Sequence, residues 1–398
     1  MKHAIPALAG VQHTKLCYHQ QRYCGHPRLS GIFNFGHGEI AVLHSHAPSA
    51  YRTQDDISHS FTTGYLSRAQ VLLQRSLDHG QTWLREHDVV VWDESLSLAE
   101  KRAIVSRTDA PGVVRESIDL TSADAAVLFA RPWTGPEDPD GTPTQECFVF
   151  RSADRGRTWE TVPTRVTGPG GLSLFRDGHP LVQFPDGTQM GAMPLFGRYG
   201  PSGDARRVVV LGSDDSGLTW EYVAEVTQDP TAFPGRTYVS LLLLPSGRLQ
   251  CYMLNINGIR NAIEMNYSDD GGYSWSEPQP LVTWGQSPWA ARRQPDEAHR
   301  GVHYRSPWPL QLRDGRIVVL FGRRKPPFGM GLIVSEDEGA TWSAEAIIRD
   351  DASGRDLGYP VATQLDDGRI FTAYYYMEDD GNNFGGTRHI AGSFFNLV

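Results

Sequence analysis

Cysteine and lysine are scarce in this 398-residue sequence, and long apolar runs are missing. The four cysteines lack CxxC spacing, which excludes the common redox and zinc motifs and predicts free thiols. No apolar stretch approaches the ~18 residues that cross a membrane, and no apolar signal core is visible. We therefore expect a cytoplasmic protein, unless a leader was removed. Only four of the 37 basic residues are lysines, and a net charge of −9 argues against general nucleic-acid binding.

One short motif, S-x-D-x-G-x-[TS]-W, occurs five times, beginning at residues 76, 152, 213, 268 and 335. Its Asp can accept hydrogen bonds from turn backbone N–H groups, and its Gly permits a positive φ. The Trp offers a large apolar surface for packing. The motif therefore predicts a hairpin turn between two strands. A calcium loop is the alternative, but each copy supplies too few carboxylates at the required offsets.

The residues around each motif predict four strands per repeat. Runs rich in β-branched residues, such as "RRVVVLGS" and "AQVLLQRS", precede the motif. Further upstream, apolar segments flank an S-G or D-G turn, as in "SLLLLPSGRLQCYML" and "WPLQLRDGRIVVLFG". Two hairpins in each repeat make four antiparallel strands, which is one blade of a β-propeller.

Counting these repeats predicts an all-β fold, a single six-bladed β-propeller domain over residues 1–398. The last blade lacks a strand at its C-terminal end, and the N-terminal segment 13–19 can supply it and close the ring. Seven blades is the alternative if residues 85–112 hide short strands, although 95–107 could be a helical insertion. The predicted blades cover approximately residues 28–84, 113–160, 178–223, 237–276, 305–343 and 357–398.

Arginine recurs where the innermost strand of each blade begins. If the motif turns lie on one face, the opposite face collects these strand starts and the loops between second and third strands. A cluster of arginines at one mouth of an acidic protein is a candidate anion site. Some of these arginines could instead pair with neighbours such as Glu116 and Asp177. The candidate binding residues at these starts are Arg28, Arg176, Arg236, Arg305, Tyr238 and His179, and Arg388 is added from the last blade.

The repeated motif and the count of six blades resemble the Asp-box sialidase superfamily along essentially the whole chain. The resemblance implies that the motifs lie away from the active site. It also implies that three arginines hold a substrate carboxylate, and Arg28, Arg260 and Arg305 match those positions. Tyr359 in "LGYPVATQLDDG" matches the family nucleophile. The loop of the first blade offers Asp55 or Asp56 as the acid.

The sequence departs from the sialidase pattern at the partner of the tyrosine. Sialidases place a Glu at the start of a middle blade, whereas "GRTYVSLL" has only Arg236 and Tyr238 there. A neutral tyrosine without a basic partner is a weak nucleophile. The first blade instead contributes His44, His46 and His59, which suit proton transfer near neutral pH. These histidines could also bind a metal or serve only as hydrogen-bonding groups, and we predict neither a metal nor another cofactor.

Three functions follow from these residues. The first is a sialidase-like exo-glycoside hydrolase that cleaves a glycosidic bond of an acidic sugar. The second is a lyase that acts at a uronic acid by Tyr/His β-elimination, which the missing Glu favours. The third is a non-catalytic propeller that binds glycans. In each case the expected partner is an acidic oligosaccharide or glycoconjugate, and neither nucleic acid nor membrane is expected.

Overall fold

Antiparallel strands make up nearly all the regular structure of the chain. The computed structural model describes residues 4–29, 31–130, 132–137, 143–171, 173–174, 179–196, 206–229, 235–256, 260–285 and 303–398. These residues form six small sheets that are arranged as a six-bladed β-propeller. Within the described ranges, no helix is long and apolar enough to cross a membrane.

The first three blades follow the N-terminal strand β1 (Leu8–Cys17). Blade 1 has its inner strand divided into two pieces, and a separate two-stranded ribbon accompanies blade 2. Blade 1 comprises β2 (Arg22–Gly25), β3 (Ile32–Gly36), β4 (Glu39–Pro48), β5 (Gln70–Ser76) and β6 (Val89–Asp93). Blade 2 and its ribbon comprise β7 (Ala126–Ala130), β8 (Trp133–Glu137), β9 (Pro143–Gln145), β10 (Cys147–Ser152) and β11 (Thr164–Val166). Blade 3 comprises β12 (Ser173–Leu174), β13 (Val182–Gln183), β14 (Gln189–Phe196), β15 (Arg206–Ser213) and β16 (Glu221–Asp229).

The last three blades each contain four strands, and blade 6 takes its outer strand from the N-terminus. Blade 4 comprises β17 (Gly235–Leu243), β18 (Leu249–Ile256), β19 (Arg260–Ser268) and β20 (Gln279–Gly285). Blade 5 comprises β21 (Tyr304–Gln311), β22 (Ile317–Arg323), β23 (Gly329–Ser335) and β24 (Ala346–Arg349). Blade 6 comprises β25 (Gly358–Gln364), β26 (Ile370–Glu378), β27 (Thr387–Leu397) and β1. Strand β1 pairs antiparallel with β27, which confirms the predicted ring closure.

Helical structure is confined to connections between strands. The α-helix α1 (Leu98–Val105) begins at Ser97, whose side chain accepts a hydrogen bond from the backbone N–H of Glu100. The predicted helical insertion at 95–107 is therefore correct. Residues 89–93 form the outer strand of blade 1 and no seventh blade, so that blade begins earlier and ends later than predicted. The 3-10 helices are Pro27–Leu29, Gln54–Asp56, Tyr65–Arg68, Arg85–His87, Ser106–Asp109 and Pro169–Gly171.

Apolar side chains fill the spaces between neighbouring blades. Strand β22 reads "IVVLFGR" and is buried along its whole length, because both faces of a blade pack against other blades. One apolar cluster lies between blades 1 and 2, and others lie between blades 2 and 3, 3 and 4, and 4 and 5. A larger cluster joins blades 5, 6 and 1. Closure of the ring thus leaves every blade face covered.

Each of the five sequence motifs is a turn that leads into the outermost strand of its blade. In the first copy, the Asp78 carboxylate accepts from the backbone N–H of Thr82 at 2.8 Å and from its hydroxyl at 2.6 Å. The Ser76 hydroxyl accepts from the backbone N–H of Gly80 at 2.8 Å, and Trp83 donates to the Gly80 carbonyl at 2.9 Å. The polar groups of the motif therefore hydrogen-bond one another, and the motif has a structural role.

Candidate active site

The inner strands of blades 4, 5 and 6 each carry an irregularity close to their start. Tyr238, Ser306 and Tyr359 have positive φ angles of 53°, 49° and 57°, and the strand register shifts at each of these places. Such a conformation costs non-glycine residues about 1–3 kcal/mol, and it is typical of functional sites. The resulting bulges turn side chains out of the regular pleat. Three blades thus direct residues towards one mouth of the ring, at the end opposite the motif turns.

The central contact of the mouth joins one guanidinium to two phenols. Arg305 donates to the Tyr359 hydroxyl from Nε at 3.1 Å and from Nη2 at 2.8 Å. Its Nη2 also donates to the Tyr238 hydroxyl at 2.8 Å, and the two phenol oxygens lie 3.0 Å apart. Hydrogen bonds from a charged donor favour negative charge on the accepting oxygen. This arrangement can therefore stabilise a phenolate at the centre of the mouth.

A carboxylate held by two further arginines lies beside this centre. Asp356 is 3.8 Å from Arg324 and 3.3 Å from Arg388. Burial opposes ionisation of Asp356, but the charges of Arg324 and His59 lower its pKa below the ordinary value. Arg324 also donates to the Leu357 carbonyl at 2.8 Å, which fixes its position. Three guanidinium groups against one carboxylate leave this part of the mouth with an excess of positive charge.

A hydrogen-bonded series of side chains runs from His59 to Asp356. The Nε2 atom of His59 lies 3.0 Å from the Tyr23 hydroxyl, which makes a short hydrogen bond to the Tyr375 hydroxyl. Tyr375 in turn hydrogen-bonds the Asp356 carboxylate. His59 keeps an exposed surface, although burial among its neighbours lowers its pKa. The series therefore links a solvent-accessible imidazole to a buried tyrosine pair.

A second histidine lies beneath Tyr359. The Nδ1 atom of His26 is 2.7 Å from the Tyr65 hydroxyl, and the His26 ring meets the Tyr359 ring edge to face at 4.5 Å between centroids. Tyr23 stacks on Tyr65 at 3.8 Å. These aromatic rings form a buried floor, whereas Tyr238 and Arg305 keep partly exposed surfaces above it. The floor holds Tyr359 in a fixed orientation.

The structure brings four of the sequence-predicted residues together at this mouth: Tyr359, Arg305, Tyr238 and Arg388. Arg28 is fully buried and donates to the Val239 carbonyl and to the Ser240 hydroxyl at 2.8 Å. Its guanidinium joins blade 1 to blade 4. Because it is buried in these contacts, Arg28 does not present its charge to a substrate.

Arg236 and His179 also make contacts within the protein. Arg236 donates to the Glu264 carboxylate at 2.8 Å. His179 is buried, and its Nε2 accepts from the backbone N–H of Phe129 at 3.2 Å. Burial lowers the pKa of His179 to about 3, which keeps the ring neutral. Arg236 is therefore engaged in an ion pair, and His179 in a buried hydrogen bond to the backbone.

Most of the first-blade candidates for proton transfer are engaged in contacts of their own. The Asp56 carboxylate accepts from the backbone N–H groups of Arg52 at 2.8 Å and Thr53 at 3.0 Å, so it caps its own loop. Asp55 is exposed. His44 is buried, with Nε2 2.9 Å from Gln74 and Nδ1 3.1 Å from the Ser45 carbonyl. Of these candidates, only Asp55 keeps an accessible carboxylate.

Two other candidate arginines have side chains outside the described residues. Arg176 lies outside the described residues, as does the side chain of Arg260, whose backbone begins β19. Both stay predictions.

Sequence reasoning missed Asp356 at the mouth, although it placed His59 there with the other first-blade histidines. The signal for Asp356 was its place immediately before the inner strand of blade 6. Position at the start of an inner strand also marks Arg305 and Tyr359. The predicted inner strand of blade 6 begins at residue 357, so Asp356 falls just outside it. Tyr375 lies in the interior of a strand, where a sequence gives no sign that its hydroxyl meets a residue from another blade.

One group of donors in the described ranges has the composition of a metal site. Cys17, Cys24 and His46 each offer a ligand atom, and these atoms lie within 4.8 Å of one another. His46 therefore belongs to a group that shares no residue with the contacts around Tyr359.

Comparison with known proteins agrees with the fold. The family model described as a BNR repeat-like domain matches residues 86–372. A Dyadobacter fermentans protein of unknown function has a similar structure, with a TM-score of 0.70 and 19% identity, over 98% of this chain and 100% of that one. A Trypanosoma rangeli sialidase mutant displaying trans-sialidase activity gives a TM-score of 0.58 at 13% identity, over 98% of this chain and 59% of that one. The NanB sialidase of Streptococcus pneumoniae gives 0.53 at 14%, over 100% and 70% of the two chains.

A search of curated proteins by sequence finds no match. The structural likenesses are at low identity, so they show a shared propeller fold and do not identify a substrate. The family model covers well over half of the chain and includes four of the five motif turns. This chain therefore belongs to the BNR repeat-like domain family, and its six-bladed propeller is similar in fold to those of the two sialidases.

Proposed function

We propose that the mouth hydrolyses a glycosidic bond of an acidic sugar. The observation that carries this proposal is the Tyr359 hydroxyl, which lies between the guanidinium of Arg305 and the hydroxyl of Tyr238. The excess of arginine around it suits a carboxylate on the substrate. Membership of a family with the sialidase fold supports the same reaction class, although fold alone does not determine chemistry.

Each residue then has a definite role. The substrate carboxylate binds at the arginines, and the phenol oxygen of Tyr359 attacks the anomeric carbon. The Tyr359 proton passes to solvent, and Arg305, which donates to this oxygen at 3.1 and 2.8 Å, stabilises the negative charge that develops on it. Tyr238 occupies the position where sialidases carry a Glu and orients the Tyr359 hydroxyl across the 3.0 Å contact. The accessible carboxyl of Asp55 protonates the leaving oxygen as the glycosidic bond breaks. Water then attacks the glycosyl–tyrosine bond, which releases the sugar and restores Tyr359.

A second candidate, β-elimination at a uronic acid, is favoured by one observation. The carboxylate of Asp356 is paired with two arginines, so the groups next to Tyr359 that remain for proton transfer are phenols and imidazoles. In this reaction an arginine neutralises the uronate and a tyrosine or histidine removes the proton next to it. The glycosidic oxygen leaves with a proton from a second group, and an unsaturated uronate forms.

A panel of acidic oligosaccharides, read by mass spectrometry and ultraviolet absorbance, tests the proposal. Hydrolysis adds one water to the summed product mass and creates no conjugated chromophore. Elimination conserves the mass and creates the absorbance of an unsaturated uronate. Arg305→Ala should lose most of the activity, whereas Arg313→Ala, in the turn that follows the same inner strand, should retain it. No cleavage across the panel would contradict both reactions and favour a glycan-binding module.

A further inference from the structure

A cluster of soft ligand atoms lies where the propeller ring closes. Cys17 ends β1, Cys24 lies in β2, and His46 lies in β4. One atom from each side chain lies within 4.8 Å of the other two, and the two sulfur atoms are 2.8 Å apart. The chain's other two cysteines, Cys147 and Cys251, are buried in other blades.

The fold explains why these three residues meet. Cys24 and His46 are direct partners in the register of β2 and β4, so their side chains lie next to each other across the pair. Strand β1 belongs to blade 6, and the short turn after it leads directly into β2 of blade 1. That turn brings Cys17 back against Cys24. The cluster therefore joins the strand that closes the ring to the first blade of that ring.

The three ligands match a soft metal ion. Thiolate and imidazole are the ligands that zinc prefers, and thiolates also select Cu(I). Tetrahedral zinc–thiolate bonds of about 2.3 Å would separate the sulfurs to roughly 3.8 Å, about 1 Å more than observed. Two thiolates would neutralise a divalent ion, which matters because Arg22 and Arg85 lie close by.

There is room for a fourth ligand. A cavity of about 260 Å³ borders the cluster and is lined by Cys17 and His46 together with Gln74 and Asp88. This volume holds several waters, and the polar lining would keep them ordered. A water in this cavity can complete a tetrahedral shell, so a protein fourth ligand is not required.

We propose that Cys17, Cys24 and His46 form a site for a thiophilic metal ion of the zinc class. The ion would hold β1 against blade 1 and so fasten the ring closure. Its role is structural, because the cluster shares no residue with the contacts around Tyr359. A disulfide between the two cysteines is the competing outcome, and it requires the sulfurs to approach each other to about 2.05 Å.

Metal binding by the full chain tests this proposal. The reduced protein is incubated with Zn²⁺, desalted and analysed for metal, and Co²⁺ is added in parallel as a spectroscopic probe. We expect one retained Zn²⁺ per chain, a thiolate-to-cobalt charge-transfer band, and a higher Tm with zinc than with chelator. Cys17→Ser and His46→Ala should lose the band and the rise in Tm. Cys147→Ser, which changes a buried cysteine in blade 2, should keep both.

Three results would overturn the proposal. The reduced wild-type protein could retain no zinc. Cys17→Ser could bind as much zinc as the wild type; this variant is informative because Cys17 is only partly buried and its replacement should leave the fold intact. The purified protein could also have an intact mass lower by two hydrogens, without bound metal, which would show a disulfide.

Discussion

Replacing Tyr359 with Phe separates the chemistry of the mouth from its contribution to stability. The substitution keeps the ring against His26 but removes the oxygen that accepts two hydrogen bonds from Arg305. Arg305 retains its 2.8 Å bond to Tyr238, so it is not left without a partner. Hydrogen bonds to charged groups contribute about 1.5–3 kcal/mol, and we therefore expect a loss of about 1–2 kcal/mol in the free energy of unfolding.

The expected loss of activity is larger than the loss of stability. If Tyr359 carries the reaction, kcat/KM should fall at least ~100-fold, which corresponds to about 2.7 kcal/mol of transition-state stabilisation. The assay is turnover of an acidic oligosaccharide, with urea unfolding measured on the same samples.

Tyr374→Phe is the matched control. The Tyr374 hydroxyl is also buried in blade 6, where it lies 2.6 Å from the Ser393 hydroxyl, but it belongs to the apolar cluster between blades. We expect a similar cost in stability and unchanged turnover. Full turnover by Tyr359→Phe, or equal losses of turnover in the two variants, would refute the reasoning.

Three further predictions concern charge. Glu39→Gln should lower the free energy of unfolding by about 3–5 kcal/mol, because it leaves the buried Arg75 without its carboxylate; a loss below ~1 kcal/mol in urea unfolding would contradict this. The pKa of His59 is lowered below 6.5 chiefly by burial. If the reaction is elimination with His59 as the base, an acid limb in the pH–rate profile should lie below 6.5 and disappear in His59→Gln, and hydrolysis requires no such limb. Hydrogen bonds from the Ser274 hydroxyl, the Ser274 backbone N–H and the Ser268 hydroxyl lower the pKa of Asp270 from 3.8 to about 2. Ionised Asp270 therefore contributes fully to stability above pH ~4, and this contribution is lost as the pH falls towards ~2. Ser274→Ala should make the urea midpoint depend less on pH across this range.

The propeller could be predicted from the sequence because its signal is local and repeated. Each motif closes its own turn through bonds such as Asp78 to Thr82, four residues apart. No distant residue is needed for that turn to form. Counting the motif turns therefore finds five blades, and the last hairpin, "GYPVATQLDDG", adds the sixth. The strand missing from that last blade directs attention to the N-terminal segment.

The mouth could be predicted only in part because its contacts join distant blades. Tyr238 and Tyr359 were found from their place at inner-strand starts, and their hydroxyls meet although they are 121 residues apart in sequence. The same rule selected Arg28, but burial and the Val239 carbonyl engage its charge. Asp56 looked like an available acid, yet its carboxylate caps a local turn. A sequence does not reveal which charged groups other parts of the chain will neutralise.

The most direct test of the central claim compares an acidic substrate with its neutral counterpart. The oligosaccharide that the wild-type protein cleaves fastest is paired with the same compound after reduction of its carboxyl group, and kcat/KM is measured for both. The arginine-rich mouth predicts at least a ~100-fold preference for the acid, about 2.7 kcal/mol, and a much smaller preference in Arg305→Ala. Equal kcat/KM values for the two compounds would contradict the claim that this mouth recognises a carboxylate.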